Sequence, residues 1–382
     1  MIRNYFLLLL QLCLISGCNA RQGSSSEGAG AEADGLLCME DTVRYAAGYR
    51  VTCHDGYANV EVRDPWNAGR LLQRYLLVPR DAPLPEGMPG GVVVRVPLRR
   101  MAVYTSVHCS VLDALGAAGD IVGVCESRYI NVPSIKERLR AGLVADLGEA
   151  TSPVIEKMIE TGTEAVFASP FDNGGYGPVE KLGIPIIECA DYMETDPLGR
   201  AEWIKFIGLL TGRVARADSL FRRTEADYLR IKALADGVER RPALMTGLKY
   251  GAPWYVPAGE SFMARIYRDA GADYLFARLP GTGGTPLSFE TVLDRAIHAD
   301  LWLIQYNRAE DMTYGALKSD YSPYSRFDAF ANRRIYGCNT SYSLYYEEVP
   351  MHPDYLLAEL IAIFHPQLLP DYKFRYFAPL KE

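Results

Sequence analysis

The sequence predicts an α/β protein of two lobes with central, largely parallel sheets, joined by a long helix and preceded by a small β-rich section. Three observations carry this. From Met101 short apolar strands alternate with helical stretches, a rhythm that places helices on the faces of a parallel sheet. The same grammar resumes at Ala243. Between the two runs, residues 197–238 keep apolar side chains at helical spacing almost without interruption. The chain has 382 residues, 49% hydrophobic, 23% charged and 11% aromatic, a composition that suits a packed globular protein of about two domains.

Taken in order, Arg3 precedes an apolar run over residues 5–16, too short to span a bilayer as a helix but long enough for the core of a signal peptide. The run ends in Leu14-Ile15-Ser16-Gly17-Cys18, which resembles the cleavage and lipidation box of bacterial lipoproteins. Residues 1–17 are thus read as a lipoprotein signal peptide, with Cys18 as the lipidated N-terminus. Residues 18–37 are small and polar, cannot bury a core, and read as a flexible tether. Cleavage removes one arginine and no acid, which takes the charge from −7 to −8. No later segment approaches eighteen uninterrupted apolar residues, so the remainder is expected outside the cytoplasm. An oxidising compartment permits disulfides. Cys38 with Cys53 and Cys109 with Cys125 are the pairings to test, and unpaired buried cysteines are the alternative.

Residues 38–98 form the β-rich section. A turn at His54-Asp55-Gly56 between alternating runs signals a hairpin, and residues 71–79 and 92–96 add two further strands. Residues 99–196 make the first lobe, with strands over 101–104, 121–124, 165–168 and 184–187 and helices over 109–115 and 154–160. Residues 197–239 are the connector, in which Gly212 can divide the helix in two. Residues 240–382 make the second lobe, with strands at 243–246 and 301–304 and helices over 261–270 and 289–296. The lobes share a local repeat: Glu156 and Glu290 each stand near the start of a short helix that leads into a buried strand. An acid favoured by the helix dipole explains either one alone; the matched pair suggests a shared task.

Several functions are excluded. A net charge of −7 does not suit a protein that covers phosphate backbone, so no nucleic acid partner is expected. No CxxC spacing is present, and the five histidines are scattered, too thin a supply for a free zinc or manganese receptor. Gly281-Thr282-Gly283-Gly284-Thr285 lacks the Gly-Lys-Ser/Thr ending of a phosphate loop and reads as a turn. There is no Gly-x-Ser-x-Gly elbow. A glycosidase using Glu156 and Glu290 as its carboxyl pair is the competing enzyme reading.

With the lipidation box, the two-lobe alternation, the matched glutamate segments and strings such as Pro197-Leu198-Gly199-Arg200-Ala201-Glu202-Trp203, the chain resembles the helical-backbone (class III) substrate-binding lipoproteins of bacterial ABC importers. These serve ferric siderophores, haem or cobalamin. The resemblance covers roughly residues 99–366 and implies two Rossmann-like lobes on a backbone helix that permits little hinge motion. It leaves the role of residues 38–98 open. It also implies a monomeric, non-enzymatic receptor in the periplasm or cell envelope, lipid-anchored through Cys18. The receptor would hold an iron chelate, haem or corrinoid and no cofactor, and would partner an ABC permease and its ATPase in the inner membrane. Glu156 and Glu290 match the positions that dock such proteins on permease arginines. An envelope binding lipoprotein without a transporter is the other non-enzymatic alternative.

Ligands of open α/β sheets sit beyond the carboxyl ends of the strands. Those loops supply Thr105, Ser106, His108, Arg128, Tyr129, Phe171 and Tyr176 on the first lobe, and Lys249, Tyr250, Trp254, Tyr255, Tyr306 and Arg308 on the second. Aromatic faces suit a bulky chelate, and arginine forks suit its carboxylates. His108 is either an iron ligand or donor to a chelate, or a hydrogen-bonded structural residue. Trp254 is expected to report binding. Tyr342, Tyr345, Tyr346 and Tyr355 are read as core or rim packing.

Overall fold

Strand pairing begins where the sequence alternates. The computed structural model describes residues 43–382, so the leader, the tether, Cys18 and Cys38 lie outside the described residues. Strands β1 (Tyr49–His54) and β2 (Tyr57–Arg63) form the hairpin around Asp55-Gly56, where Gly56 takes a φ of +80° that a side chain would resist. β3 (Leu71–Pro79) pairs antiparallel with β2, and β4 (Val92–Val96) pairs parallel with β3, giving the order β1-β2-β3-β4. This sheet is tied to the first lobe by the Tyr75 hydroxyl, which donates to the carbonyl of Ile186 (2.7 Å) and accepts from the N–H of Glu188 (2.8 Å).

The first lobe runs β5 (Met101–Val103), α1 (Ser106–Ala114), β6 (Ile121–Val124), α2 (Pro133–Arg140), β7 (Ala145–Asp146), α3 (Ile155–Glu160), β8 (Ala165–Ala168) and β9 (Ile186–Glu188). Its five strands are all parallel in the order β7-β6-β5-β8-β9, the arrangement that alternating helices require. Two boundaries differ from the sequence expectation. Thr105 caps α1 by accepting from the N–H of His108, so the helix starts at Ser106, three residues early. Pro185 has no N–H to give a ladder, and β9 accordingly starts one residue after it.

The connector is two helices, α4 (Pro197–Thr211) and α5 (Val214–Ala235). Asp196 caps α4 on the N–H groups of Leu198 and Gly199, Pro197 occupies its first turn, and Gly212 ends it at a φ of +67°. The helices cross closely at Gly208, where an added Cβ would lie 2.6 Å from that of Ala217. α4 is buried on every side, as an all-round apolar helix must be. Two buried acids, Glu202 on α4 and Glu194 just before it, hold residues 44–48: Glu202 accepts from the N–H groups of Arg44, Tyr45 (2.7 Å) and Ala46 (2.9 Å), and Glu194 from those of Ala47 and Gly48.

The second lobe contains β10 (Ala243–Thr246), β11 (Trp254–Pro257), α6 (Phe262–Asp269), β12 (Asp273–Tyr274), β13 (Gly284–Leu287), α7 (Phe289–Ala296), β14 (Leu301–Tyr306), α8 (Tyr314–Asp320), α9 (Asp328–Ala331), β15 (Ile335–Asn339), α10 (Tyr345–Glu348), α11 (Pro353–Phe364) and β16 (Ala378–Pro379). Its sheet order is β12-β10-β14-β15-β16, parallel except for β16. The glycine-rich stretch is only partly a turn: Gly281 turns at a φ of +95°, but Gly284 already pairs with Pro257 in the β11–β13 ribbon.

One core joins the β-rich sheet, the first lobe, α4 and the start of α5; another fills the second lobe. The cysteines follow the packing. Cys53 is disulfide-bonded, with its partner outside the described residues, whereas Cys109, Cys125, Cys189 and Cys338 are buried and free. The Cys109–Cys125 bridge does not form because the two thiols belong to separate core clusters of the lobe. Among the described residues no helix is long and apolar enough to cross a membrane.

Candidate ligand cleft between the strand ends

Both parallel sheets end in loops that carry aromatic and charged side chains. On the first lobe, Tyr129 and Phe171 are more than half exposed. Arg128 stacks 4.7 Å over the Tyr129 ring and reaches Glu149 (3.1 Å) and Glu126 (3.5 Å). Tyr176 is half-buried and donates to Glu188 (3.1 Å).

Thr105 and His108, expected at the cleft, are engaged with each other and with Asp191. Thr105 is engaged in capping, which turns His108 inward at the third position of α1. His108 is 1% exposed, with Nδ1 2.9 Å from Thr105 Oγ1 and Nε2 3.2 Å from Asp191 Oδ1. Arg200 donates to the other oxygen of Asp191 at 3.3 Å, completing a buried network. Burial alone would raise the Asp191 carboxyl, but the His108 hydrogen bond and the Arg200 charge outweigh it and leave the pKa below the ordinary 3.8. A depressed carboxyl stabilises the fold above its unfolded pKa, and that contribution is lost as pH falls through the folded value. Asp191→Asn is therefore expected to cost about 1–3 kcal/mol near neutral pH. Its melting temperature should also fall less steeply than the parent's below about pH 4. Parallel acid limbs in thermal melts of the two proteins would remove Asp191 from this role.

On the second lobe the alternation of β11 sorts its side chains. Tyr255 is 48% exposed, and Tyr250 in the preceding loop is 82% exposed. Trp254 is fully buried: its indole N–H donates to the carbonyl of Thr246 (2.9 Å), and its ring stacks on Trp302 (5.6 Å) amid Phe289, Tyr324 and Phe327. The expectation that Trp254 meets the ligand is corrected accordingly; its place is the core. Lys249 donates to the Gly251 carbonyl (2.6 Å) beside the Tyr321 ring. The half-buried Tyr306 accepts from the N–H of Met312 (2.9 Å), and the exposed Arg308 pairs with Asp320 (2.5 Å).

The C-terminal tyrosines divide. Tyr345 is buried, while Tyr342 and Tyr346 are 63% and 52% exposed beyond the end of β15. Tyr342 donates to Asp311 (2.6 Å). Tyr192, exposed beyond β9, is a further ring that sequence reasoning passed over. The missed signal was position: each follows a parallel strand within a few residues.

The lobes meet at Ser106. α1 packs on α10, and the buried Glu347 accepts from the backbone N–H of Asn131 (3.2 Å) and from the Ser106 hydroxyl. Asp196 and Arg265 add an ion pair between the connector and the second lobe at 2.9 Å. Ser106 is thus a contact between lobes rather than a free donor. Away from this face, Glu156 and Glu290 are each the second residue of a helix, α3 and α7, and both are exposed without a hydrogen bond or ion pair among the described residues.

A family model described as periplasmic binding protein matches residues 101–342, from the first strand of the first lobe to the loop after β15. The chain belongs to the periplasmic binding protein family. As a member it is a binding protein and not an enzyme, with the two-lobed α/β fold expected. It is 25% identical, over 97% of its length and 94% of the relative's, to an uncharacterized lipoprotein of Methanocaldococcus jannaschii. Among solved structures, the periplasmic haem-binding protein HutB of Vibrio cholerae aligns with a TM-score of 0.54 and 18% identity, over 68% of this chain and 98% of that one. An Fe3+-hydroxamate transport protein of Saccharomonospora viridis aligns with a TM-score of 0.56 and 18% identity, over 72% and 96%. At such identities the structures share the fold. The sheet β1–β4 precedes the matched region of this periplasmic binding protein.

Proposed function

We propose that this periplasmic binding protein is a lipid-anchored receptor that captures an iron complex, a ferric siderophore or haem, between its lobes and delivers it to an ABC permease. The observation that carries the reading is the pair of strand-end faces. They present exposed Tyr129, Phe171, Tyr250, Tyr255, Tyr342 and Tyr346 with the charged Arg128 and Arg308. Apolar rings would cover a large chelate, and guanidinium groups would orient its anionic edges. The fold of the haem and hydroxamate proteins named above supports it, as does the lipoprotein relative. The Leu14–Cys18 string gives the anchor. Because both ring nitrogens of His108 are engaged inside the lobe, the arrangement favours iron already saturated by its chelator over iron that needs this histidine.

Titration of the full chain in detergent with ferric hydroxamates, ferric catecholates, haemin and cobalamin, followed by absorption and equilibrium dialysis, tests the proposal. One iron complex should bind saturably at micromolar or lower concentration, and the double variant Tyr250→Ala, Tyr255→Ala should weaken it about tenfold or more. Saturable binding of cobalamin alone would replace the iron reading. An unchanged affinity in the double variant would remove the second-lobe tyrosines from the cleft.

A further inference from the structure

The β-rich sheet that precedes the family match builds a cavity with the first lobe. It measures about 280 Å³ and lies between the β2–β3 connection, which gives Asp64, Trp66 and Arg70, and the loop after β8, which gives Phe171 and Tyr176, with Glu188 at the end of β9. Its walls are fixed. Asp64 accepts from the N–H groups of Trp66 (2.9 Å) and Asn67 (3.0 Å), closing its loop on itself. The Phe171 ring lies against Gly174 so closely that an added Cβ there would sit 2.3 Å from a ring carbon. Tyr176 hydrogen-bonds one Glu188 oxygen; the other has no partner among the described residues. Tyr176 and Glu188 also wall an adjoining cavity of about 570 Å³.

The chemistry of the lining is uneven. Asp64, Asp172 and Glu188 face one guanidinium, Arg70, and three aromatic rings complete the wall. Rings and carboxylates together attract a cation that has shed part of its water, since the ring faces are negative and a half-buried acid holds the charge. The Glu188 carboxyl is raised, first by its burial and then by the charges of Asp64 and Glu180, so a cation entering here relieves a repulsion already present. The volume is at the small end of ligand sites.

We infer that this cavity is a binding site for a small organic ammonium group, a protonated or quaternary amine, held between Trp66, Phe171 and Tyr176 against Glu188. The site shares Phe171 with the proposed iron-complex cleft but takes Asp64, Trp66 and Arg70 from a sheet outside the family match, so variants at Trp66 or Glu188 test it without altering a ring assigned to the cleft.

Trp66 makes the test direct, because the other three tryptophans, Trp203, Trp254 and Trp302, are buried. The full chain in detergent is titrated with tetramethylammonium and with putrescine, using tert-butanol as the neutral match, and read by tryptophan fluorescence and by calorimetry. At least one cation should bind saturably and change the fluorescence, and tert-butanol should not bind. Glu188→Gln, and independently the exposed Asp172→Asn, should weaken the cation about fivefold to tenfold, with melting curves showing both variants folded. Trp66→Leu should abolish the fluorescence change. Calorimetry showing no cation binding, equal binding of tert-butanol, or a fluorescence change that survives Trp66→Leu would overturn the assignment. Titrating the preferred iron complex into Glu188→Gln keeps the two sites distinct, since its affinity should not move.

Discussion

Glu202→Ala is expected to cost about 3–5 kcal/mol, the usual result of removing one partner from a buried charged network. In a chain of this size that lowers the melting temperature by roughly 10 °C. The acid lies fully buried on α4, 2.8 Å from the Lys205 ammonium, and it also receives the N–H groups of Arg44, Tyr45 and Ala46. Alanine would take away the carboxylate 2.8 Å from the buried Lys205 ammonium and the acceptor that three partly buried backbone donors share. The damage should be local before it is global. Hydrogen exchange at Tyr45 and Ala46 should accelerate ahead of β6 and β8, because those two amides lose their acceptor outright. Glu202→Gln keeps an acceptor oxygen and should fall between the two. A loss below about 1 kcal/mol for Glu202→Ala in denaturant melts would mean that residues 44–46 are held by other contacts.

The periodicity of the sequence carried the architecture because burial imposes it directly. The strands of both lobes are short apolar runs that the parallel sheets bury on both faces, and Gly212 divides the connector where a left-handed residue is needed. Side-chain direction was less legible. The sequence leaves His108 either a ligand to the chelate or a hydrogen-bonded structural residue; one capping hydroxyl, that of Thr105, starts the helix early and turns the ring inward, which favours the second. Strand alternation buries Trp254, against its expected place in the cleft, while the loop and helix after β15 leave Tyr342 and Tyr346 exposed, so of core or rim packing only the rim remains for them. Aromatic rings serve core and surface equally well, so composition does not sort them; only register does. The Cys109–Cys125 pairing failed for a related reason, since spacing along the chain does not tell which core cluster a thiol joins. Asp191 and Glu347 carry no sequence signal because their partners His108 and Asn131 lie 83 and 216 residues away.

Reversing both Glu156 and Glu290 to lysine is expected to abolish uptake while leaving cargo affinity within about twofold and the fold within about 1 kcal/mol. The argument starts from what each acid is not doing. Each is exposed in the first turn of its helix and holds no partner among the described residues, so neither sustains the lobe that carries it. Their settings correspond: α3 leads into β8, α7 leads into β14, and both strands are inner members of their parallel sheets. One carboxylate fixes a point on a partner. Two, separated by lobes that the α4–α5 connector holds together, fix an orientation, and complementary arginines on a permease would read both at once. Charge reversal turns each attraction into a repulsion of similar size, so a single reversal should reduce uptake about tenfold or more and the pair about a hundredfold or more. Uptake of labelled cargo in a strain lacking the native copy, complemented by each variant, gives the measurement, with cargo binding to the isolated variants as the control. Uptake by the double reversal at the parent's rate would end the docking role of both residues while leaving cargo capture intact.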